Sequence, residues 1–502
     1  MTLQGTYDSL LQKNKKAIIY QMIQAQLGWD FETYMPKKGG QQRSMQFATL
    51  AADIHKLMTD PKIGELINNI KTDPDYSSLS DIQKRNLYLV EKEYNRQTKL
   101  PADLVEEIAK HQVIAIETWK EAKAAKNYAM FKPELKKSLD LQKKRAHYLD
   151  PDKHPYDVLL DIYEPNMTSA MITRLFNELK EGLVPLIKKI QSAPNQPDTS
   201  FLSRSCPISI QETLATDLSN VVHYDLDCGR IDTTEHPFTT GYYQDVRITT
   251  HYYENEFDNA LFSTMHEAGH AIYEQNLDEA FRYQPLGQAA SLGLHESQSR
   301  FFENIIGRSP EFWEYYLPRF KELTGDIFAD IDAQFFIHAI NHVKPSKIRV
   351  TADEVTYSLH VIIRFEIERD LSEGKITVEE LPTIWNQKYK DYLGVDIEDD
   401  SEGVMQDTHW AAGLFGYFPT YALGNIYNAM QLHVIRKELP NYDDLVRTGN
   451  LKPILEWLTK KVHQPANLYD PADLMQQITN EPINTKYFIE YCTNKYSKLY
   501  AF

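Results

Sequence analysis

Residues 262–272 read FSTMHEAGHAI, and the pattern of this stretch decides what kind of structure surrounds it. Phe262, Met265 and Ile272 fall on one stripe of a helix with about 3.6 residues per turn. The stretch therefore predicts an amphipathic helix with one buried side. Gly269 costs about 1 kcal/mol relative to alanine inside a helix, so we expect a packing reason for a glycine there.

The polar side of this helix carries His266, Glu267 and His270. His270 lies about 40° around the helix from His266 and one turn along, so both imidazoles can reach one metal ion. Glu267 lies within the same arc, where it can contact a water molecule beside the ion. This is the HExxH arrangement of zinc peptidases, in which zinc acidifies a water and the glutamate takes its proton. The alternative is a chance match on an ordinary surface helix.

A catalytic zinc ion needs a third protein ligand and an open position. The long HExxHxxGxxH signature is excluded, because Tyr273 and Asn276 stand where it requires glycine and histidine. The third ligand is then an acidic residue further along, and spacing does not choose between Asp278, Glu279 and Glu296.

Glu296 lies in residues 292–306, LGLHESQSRFFENII, which read as a second helix. From there it can reach across the first helix to the metal. It can equally form an i,i+4 surface pair with Arg300. The residues alone favour neither interpretation.

The rest of the chain predicts a mainly α protein. Only 20 of 502 residues are glycine, which argues against a turn-dense all-β architecture. Leu104, Ile108, Ala115 and Trp119 recur at helical spacing, as core positions do. Residues 221–253 differ, and FTTGYYQDVRITTHYY favours short strands with a turn at Gly241. We expect one small sheet just before the metal-binding motif. The stretch 192–200 is loop-like but too short to separate independent domains.

Net charge and the lack of targeting signals limit the binding partners and the cellular location that we expect for this protein. The net charge of −17 repels phosphate backbones and anionic lipid, so we expect neither nucleic acid nor membrane as a partner. The N-terminal residues lack the apolar core of a signal peptide, and no stretch approaches the length of a membrane span. The three cysteines are scattered and suggest no disulfide framework. A cytoplasmic location fits these features.

Six motifs in order along the chain carry a family resemblance. They are HPF at 236–238, DVRIT at 245–249, HEAGH at 266–270, HESQ at 295–298, IRVTAD at 348–353 and GVMQDTHW at 403–410. WDFETYMP at 29–36, with Arg43 behind it, extends the similarity towards the start of the chain. In these motifs the sequence resembles the carboxypeptidase Taq family of zinc metallocarboxypeptidases.

The resemblance implies a single catalytic unit over residues 1–502, with two helical lobes around a deep groove like that of neurolysin and angiotensin-converting enzyme. It implies Glu296 as the third ligand, zinc as the metal with cobalt as a possible substitute, and a homodimer. The expected reaction is removal of single C-terminal residues from peptides, with broad specificity. An endo-acting oligopeptidase and a silent scaffold that keeps the fold are the alternatives.

The resemblance also assigns roles to residues outside the metal site. Arg349 should grip the α-carboxylate of the substrate, because a guanidinium binds a carboxylate through two parallel hydrogen bonds. The alternative is an internal pair with Asp353, four residues along. His409 is expected to donate to the developing oxyanion, and Tyr421 is a second candidate for that role.

The remaining candidates lie in and before the predicted sheet. Asp245 and Arg247 stand two apart in a strand, so they share a face, and an ion pair that shapes the cleft wall is the preferred interpretation. Arg247 is kept as a candidate substrate-binding residue. His236 precedes a proline, which holds its backbone extended, and is expected to line the substrate site.

Overall fold

The computed structural model describes all residues from Met1 to Phe502 and is mostly helical, with one three-stranded sheet. The predicted class, mainly α with one small sheet before the metal-binding motif, is confirmed. No helix combines the length and the hydrophobicity that a bilayer crossing requires.

Nine helices precede the sheet. They are α1 Leu3–Glu32, α2 Gly40–Met58, α3 Pro61–Lys71, α4 Asp81–Thr98, α5 Ala102–Ala124, α6 Tyr128–Leu149, α7 Pro155–Leu160, α8 Ser169–Ser192 and α9 Ile208–Val221. Eleven helices follow it. They are α10 Phe257–Gln275, α11 Leu292–Arg300, α12 Pro310–Thr324, α13 Ala333–Ile340, α14 Tyr357–Ser372, α15 Leu381–Leu393, α16 Pro419–Glu438, α17 Tyr442–Arg447, α18 Lys452–Leu458, α19 Pro471–Thr479 and α20 Lys486–Tyr500.

The sheet consists of β1 Ile231–Thr233, β2 Thr239–Tyr242 and β3 Asp245–Thr250. The central strand is β3, which pairs parallel with β1 and antiparallel with β2. The sheet packs against α10 and so lies beside the helix that carries the HEAGH motif.

The predicted turn at Gly241 is wrong by two residues. Gly241 lies within β2 opposite Val246, and the turn is formed by Tyr243 and Gln244. The glycine is still needed, because its φ is +135° and an added Cβ would stand 2.1 Å from the carbonyl oxygen of Asp245.

Two separate apolar cores hold the helices. The larger one includes Ile18 of α1 and otherwise runs from α5 to the C-terminus, and α14 and α16 are buried on nearly all sides within it. The smaller one has nine buried residues and lies among α1, α3 and α4. Polar contacts tie the small core to the large one, among them the Arg85–Asp470 ion pair at 2.7 Å. The expected single catalytic unit, two lobes and neurolysin-like groove stay predictions.

Candidate active site

The metal-binding motif lies where α10 and α11 cross at very short range. An added Cβ at Gly269 would stand 2.6 Å from the carbonyl oxygen of Gln298 and 2.7 Å from Cα of Ser299. Only glycine lets the backbone of α11 pass so close. The packing reason expected for Gly269 is thereby confirmed, and the crossing brings α11 against the face that carries the two histidines.

His266, His270 and Glu296 form one group at this crossing. Nε2 of His266 and Nε2 of His270 lie 3.7 and 3.5 Å from Oε2 of Glu296. A tetrahedral zinc ion with ligand distances of about 2.0–2.1 Å separates neighbouring ligand atoms by about 3.3–3.4 Å. Two imidazoles and one carboxylate at this spacing fit a catalytic metal site that keeps one position open.

The other two acidic candidates are engaged elsewhere. The Asp278 carboxylate accepts the backbone N–H of Ala280, and Glu279 accepts a hydrogen bond from the side chain of Gln244. Glu296 also accepts a hydrogen bond from Arg300, since Nε of Arg300 lies 2.8 Å from Oε1. Oε1 of Glu296 is thus held by Arg300 in a buried pair rather than a surface one, while Oε2 faces the two histidines.

Each histidine of the group has a partner on its other ring nitrogen. Nδ1 of His266 lies 2.9 Å from Oε2 of Glu303, which sits on a π-helical turn, Phe301–Ile306, that continues α11. Nδ1 of His270 lies 2.5 Å from Nδ1 of His295, and Nε2 of His295 lies 2.9 Å from Oε1 of Glu274. With both Nδ1 atoms engaged, both Nε2 atoms are directed to the shared group.

Burial and charge set the protonation states of the group. Burial, together with the neighbouring histidines, lowers the pKa of His270 to about 3, so this ring is neutral near pH 7 and has a lone pair to offer. Burial alone would raise the pKa of Glu296, but His266 and Arg300 outweigh it and hold that pKa below its usual range. Burial alone would lower the pKa of His266, but Glu296 and Glu303 outweigh it and raise that pKa to about 9, so a metal ion would displace a proton from this ring.

Glu267, the neighbour of His266 on α10, makes its one side-chain hydrogen bond to the sheet. Its side chain is buried, with 7% of the residue exposed, and its Oε2 accepts a 2.6 Å hydrogen bond from the Thr239 hydroxyl. Burial raises the pKa of Glu267 above its usual value. β2 thus places a single donor on this carboxylate. Sequence reasoning missed Thr239, whose position is visible only once β2 is packed on α10.

Arg349 is buried and fixed by two neighbours. Its Nε and Nη2 lie 3.0 and 2.9 Å from Oδ1 of Asp407, and its Nη1 lies 3.0 Å from the Tyr357 hydroxyl. The alternative pair with Asp353 does not form, because that carboxylate accepts hydrogen bonds from Thr356 and from the backbone of Lys344. Three of the five guanidinium N–H groups are used, and two remain for a ligand.

His409 and Tyr421 belong to the same cluster as Arg349. Nε2 of His409 lies 3.3 Å from the Tyr421 hydroxyl, and the Arg349 guanidinium stands 4.9 Å from the centre of the Tyr421 ring. Burial lowers the pKa of His409 to about 4, so the ring is neutral near pH 7 and has one N–H to donate. Its Nδ1 is buried without a hydrogen-bond partner.

A continuous contact path joins this cluster to the metal-binding group. The Arg300 guanidinium, which is bonded to Glu296, stacks 4.0 Å from the centre of the Tyr357 ring, and Tyr357 in turn bonds Arg349. α16, which carries Tyr421, passes Glu296 at Gly424, where an added Cβ would stand 2.7 Å from Cγ of Glu296. The carboxylate-binding candidate and the metal site therefore belong to one neighbourhood.

The other two candidates lie on the sheet side and touch neither cluster. The expected Asp245–Arg247 ion pair is present, with N–O distances of 2.7 and 2.9 Å, and the guanidinium also stacks 4.2 Å from the Trp29 ring centre. His236 is exposed on the loop between β1 and β2 and makes no side-chain hydrogen bond or ion pair. Roles for Arg247 and His236 in substrate binding stay predictions.

A helical fold that holds two histidines of an HExxH helix with a glutamate from the next helix defines a metallopeptidase site. Comparison with known proteins identifies the family: the chain belongs to the carboxypeptidase Taq (M32) metallopeptidases, whose family model matches residues 9–496. The protein is accordingly a metallocarboxypeptidase and acts on peptides.

Curated relatives and solved structures match along nearly the whole chain. It is 42% identical to Carboxypeptidase 1 of Bacillus subtilis over 487 residues, which cover 97% of each protein. It is 40% identical to Thermostable carboxypeptidase 1 of Thermus thermophilus over 511 aligned residues, which cover 100% of both. The crystal structure of the M32 carboxypeptidase of Deinococcus radiodurans R1 superposes with a TM-score of 0.96 at 33% identity, covering 99% of this chain and 100% of that one.

Proposed function

We propose that this metallocarboxypeptidase uses zinc to remove single residues from the C-terminus of peptides, with broad specificity. The observation that carries this proposal is Arg349, a buried guanidinium with two unused N–H donors. It is linked through Tyr357 and Arg300 to Glu296. A terminal carboxylate bound there would set the last peptide bond beside the metal-binding group, which an enzyme that cuts internal bonds does not need.

His266, His270 and Glu296 would hold one zinc ion per chain, with cobalt as a possible substitute. When bound, the ion would polarise the scissile carbonyl and acidify a water molecule. Glu267 accepts the proton of the attacking water and returns it to the leaving amine. Burial suits Glu267 to this exchange, because the raised pKa of its carboxyl lies closer to that of the groups with which it trades the proton.

The remaining residues bind and orient the peptide. Arg349 anchors the terminal carboxylate, while His409 and Tyr421 donate hydrogen bonds to the oxygen that becomes negative in the transition state. Both are partly buried and already ordered by their mutual contact, so little reorganisation is needed when charge develops. Arg247 and His236 would border the peptide from the sheet side. The catalytic unit spans residues 1–502 and acts as a homodimer.

The experiment compares N-blocked dipeptides and tripeptides with their C-terminal amides, with and without a metal chelator. Release of the last amino acid that needs the free carboxylate and stops with the chelator supports the proposal. Cleavage that is indifferent to amidation would assign the enzyme to the endo-acting class instead.

The role of Glu267 is tested by substitution. Glu267→Gln should lower kcat by about 10²–10⁴, the contribution of a general base, and leave the zinc content per chain unchanged. Glu279→Gln is the matched control and should keep full activity, because Glu279 is exposed and lies just after the end of α10. Full activity of the Glu267 variant would refute the mechanism.

A further inference from the structure

The two histidines of the metal-binding group are supported in different ways. His266 is backed directly by a carboxylate, that of Glu303. His270 is backed by a second histidine, His295, and only behind it by the carboxylate of Glu274. The three residues Glu274, His295 and His270 form one chain of hydrogen bonds, called here the Glu274 chain.

The Glu274 chain ties together the two helices of the site. Glu274 and His270 lie one turn apart on α10, whereas His295 lies on α11 directly before Glu296. His295 also packs against the rings of His270 and Tyr273, at centroid distances of 4.6 and 5.3 Å. The side chain that orients one histidine of the group is thus the chain neighbour of its carboxylate.

Only one proton arrangement of this chain leaves His270 able to bind a metal ion through Nε2. A carboxylate only accepts, so Nε2 of His295 carries a proton directed at Glu274, and in the neutral ring its Nδ1 is an acceptor. The 2.5 Å contact between the two Nδ1 atoms then requires the proton to sit on Nδ1 of His270. Nε2 of His270 is left with a free lone pair. The reverse arrangement would place the proton on that Nε2 and block it as a ligand.

We propose that His295 is a positioning residue for the metal site. It accepts a hydrogen bond from Nδ1 of His270 and so fixes the tautomer and the ring orientation that ligation requires, while Glu274 fixes His295. The inference rests on the proposed metal site. It gives the histidine of the HESQ motif a function of its own, separate from that of the adjacent Glu296.

The test measures zinc affinity of the purified full-length protein by competition with a chromogenic chelator. His295→Leu removes the acceptor and should weaken zinc binding by about 10- to 100-fold, the usual effect of losing a partner of a ligating histidine. His295→Asn keeps an acceptor oxygen at the place of Nδ1 and should stay within about threefold of the parent protein. Glu274→Leu should weaken zinc binding by about 3- to 10-fold, since Glu274 acts on His270 only through its hydrogen bond to His295.

Two controls separate this role from others. His433→Leu changes an exposed histidine on α16 and should leave zinc affinity unchanged. Glu274 and His295 also border a cavity of about 700 Å³ beside α1, so a role in substrate contact is the competing explanation. That role would raise KM at saturating zinc and leave zinc affinity untouched, which would overturn the proposal.

Two further results would also overturn it. One is zinc affinity of His295→Leu within threefold of the parent, and the other is equal losses in His295→Leu and His295→Asn. If His295→Leu does not fold, the asparagine and Glu274 variants still decide the matter. His270→Ala tests the underlying site separately, because undiminished zinc binding in that variant would refute the proposed metal site rather than the role of His295.

Discussion

Asp407→Asn isolates the residue that holds the proposed carboxylate anchor, Arg349, in place. The Asp407 carboxylate lies between two buried guanidiniums, with Oδ1 bonded to Arg349 and Oδ2 at 2.6 Å from Nε of Arg364. The Arg349 and Arg364 side chains are 6% and 0% exposed, so neither can turn to solvent when the negative charge is removed. Asparagine has nearly the same shape and leaves the packing intact.

The size of the effect follows from these contacts. Removing one partner of a buried ion pair costs about 3–5 kcal/mol, because the charge left behind stays desolvated. We expect a loss of unfolding free energy in this range. Arg349 also loses a charge-assisted hydrogen bond that orients it, worth about 1.5–3 kcal/mol. If that orientation serves substrate binding, kcat/KM falls by about 10- to 150-fold, mainly through KM.

The assay pairs urea unfolding with steady-state hydrolysis of an N-blocked dipeptide at saturating zinc. Asp370→Asn is the matched control, because Asp370 on α14 pairs with a single half-buried arginine, Arg369. Its loss should cost less than about 1 kcal/mol and leave KM unchanged. If Asp407→Asn kept both the unfolding free energy and KM of the parent protein, Asp407 would not be what orients Arg349.

Two further predictions concern packing and pH. Gly269→Ala should lower the unfolding free energy by about 1–3 kcal/mol and weaken zinc binding, because the new Cβ pushes α11 away. Gly28→Ala is the control and should not destabilise the protein, since nothing lies within 4 Å of an added Cβ there. Equal unfolding midpoints for the two variants would contradict the close crossing. Burial raises the pKa of Glu368 from 4.5 to about 7, so the folded state binds one more proton than the unfolded state between these pH values. The unfolding free energy therefore falls as the pH rises through that window, by at most about 3 kcal/mol. Glu368→Gln should flatten this dependence in urea unfolding at pH 5 and pH 8, and an unchanged slope would refute it.

The sequence predicts the helical class, the small sheet and the HExxH helix because each depends on local periodicity. His266 and His270 are four residues apart on one helix, so their convergence is a property of the helix alone. Residue spacing could not select Glu296 over Asp278 or Glu279, because that choice depends on how α11 crosses α10. Gly269 permits that crossing, but the angle at which the two helices cross cannot be predicted from the sequence.

The polar partners of the site were the least predictable part. Thr239, Glu274 and Glu303 are ordinary residue types at ordinary spacings, and each acts only through tertiary contact. Asp407 stands within a recognised motif, yet its pairing with Arg349 spans 58 positions of the chain. The expected pairing with Asp353 fails, because that residue lies just before α14 and bonds Thr356 instead.

The arrangement of charges around Arg349 would allow a buried arginine to serve as the proposed anchor. An unpaired guanidinium that is only 5% exposed would be very costly to bury. A guanidinium whose charge is fully neutralised by one carboxylate of its own would attract a substrate carboxylate only weakly. Asp407 avoids both extremes because its single charge is shared with Arg364, so the three groups together keep a net charge of +1. A terminal carboxylate would complete the set, and an amide would not. We therefore expect the preference for a free C-terminus to depend on Arg364, which no substrate needs to touch, as well as on Arg349.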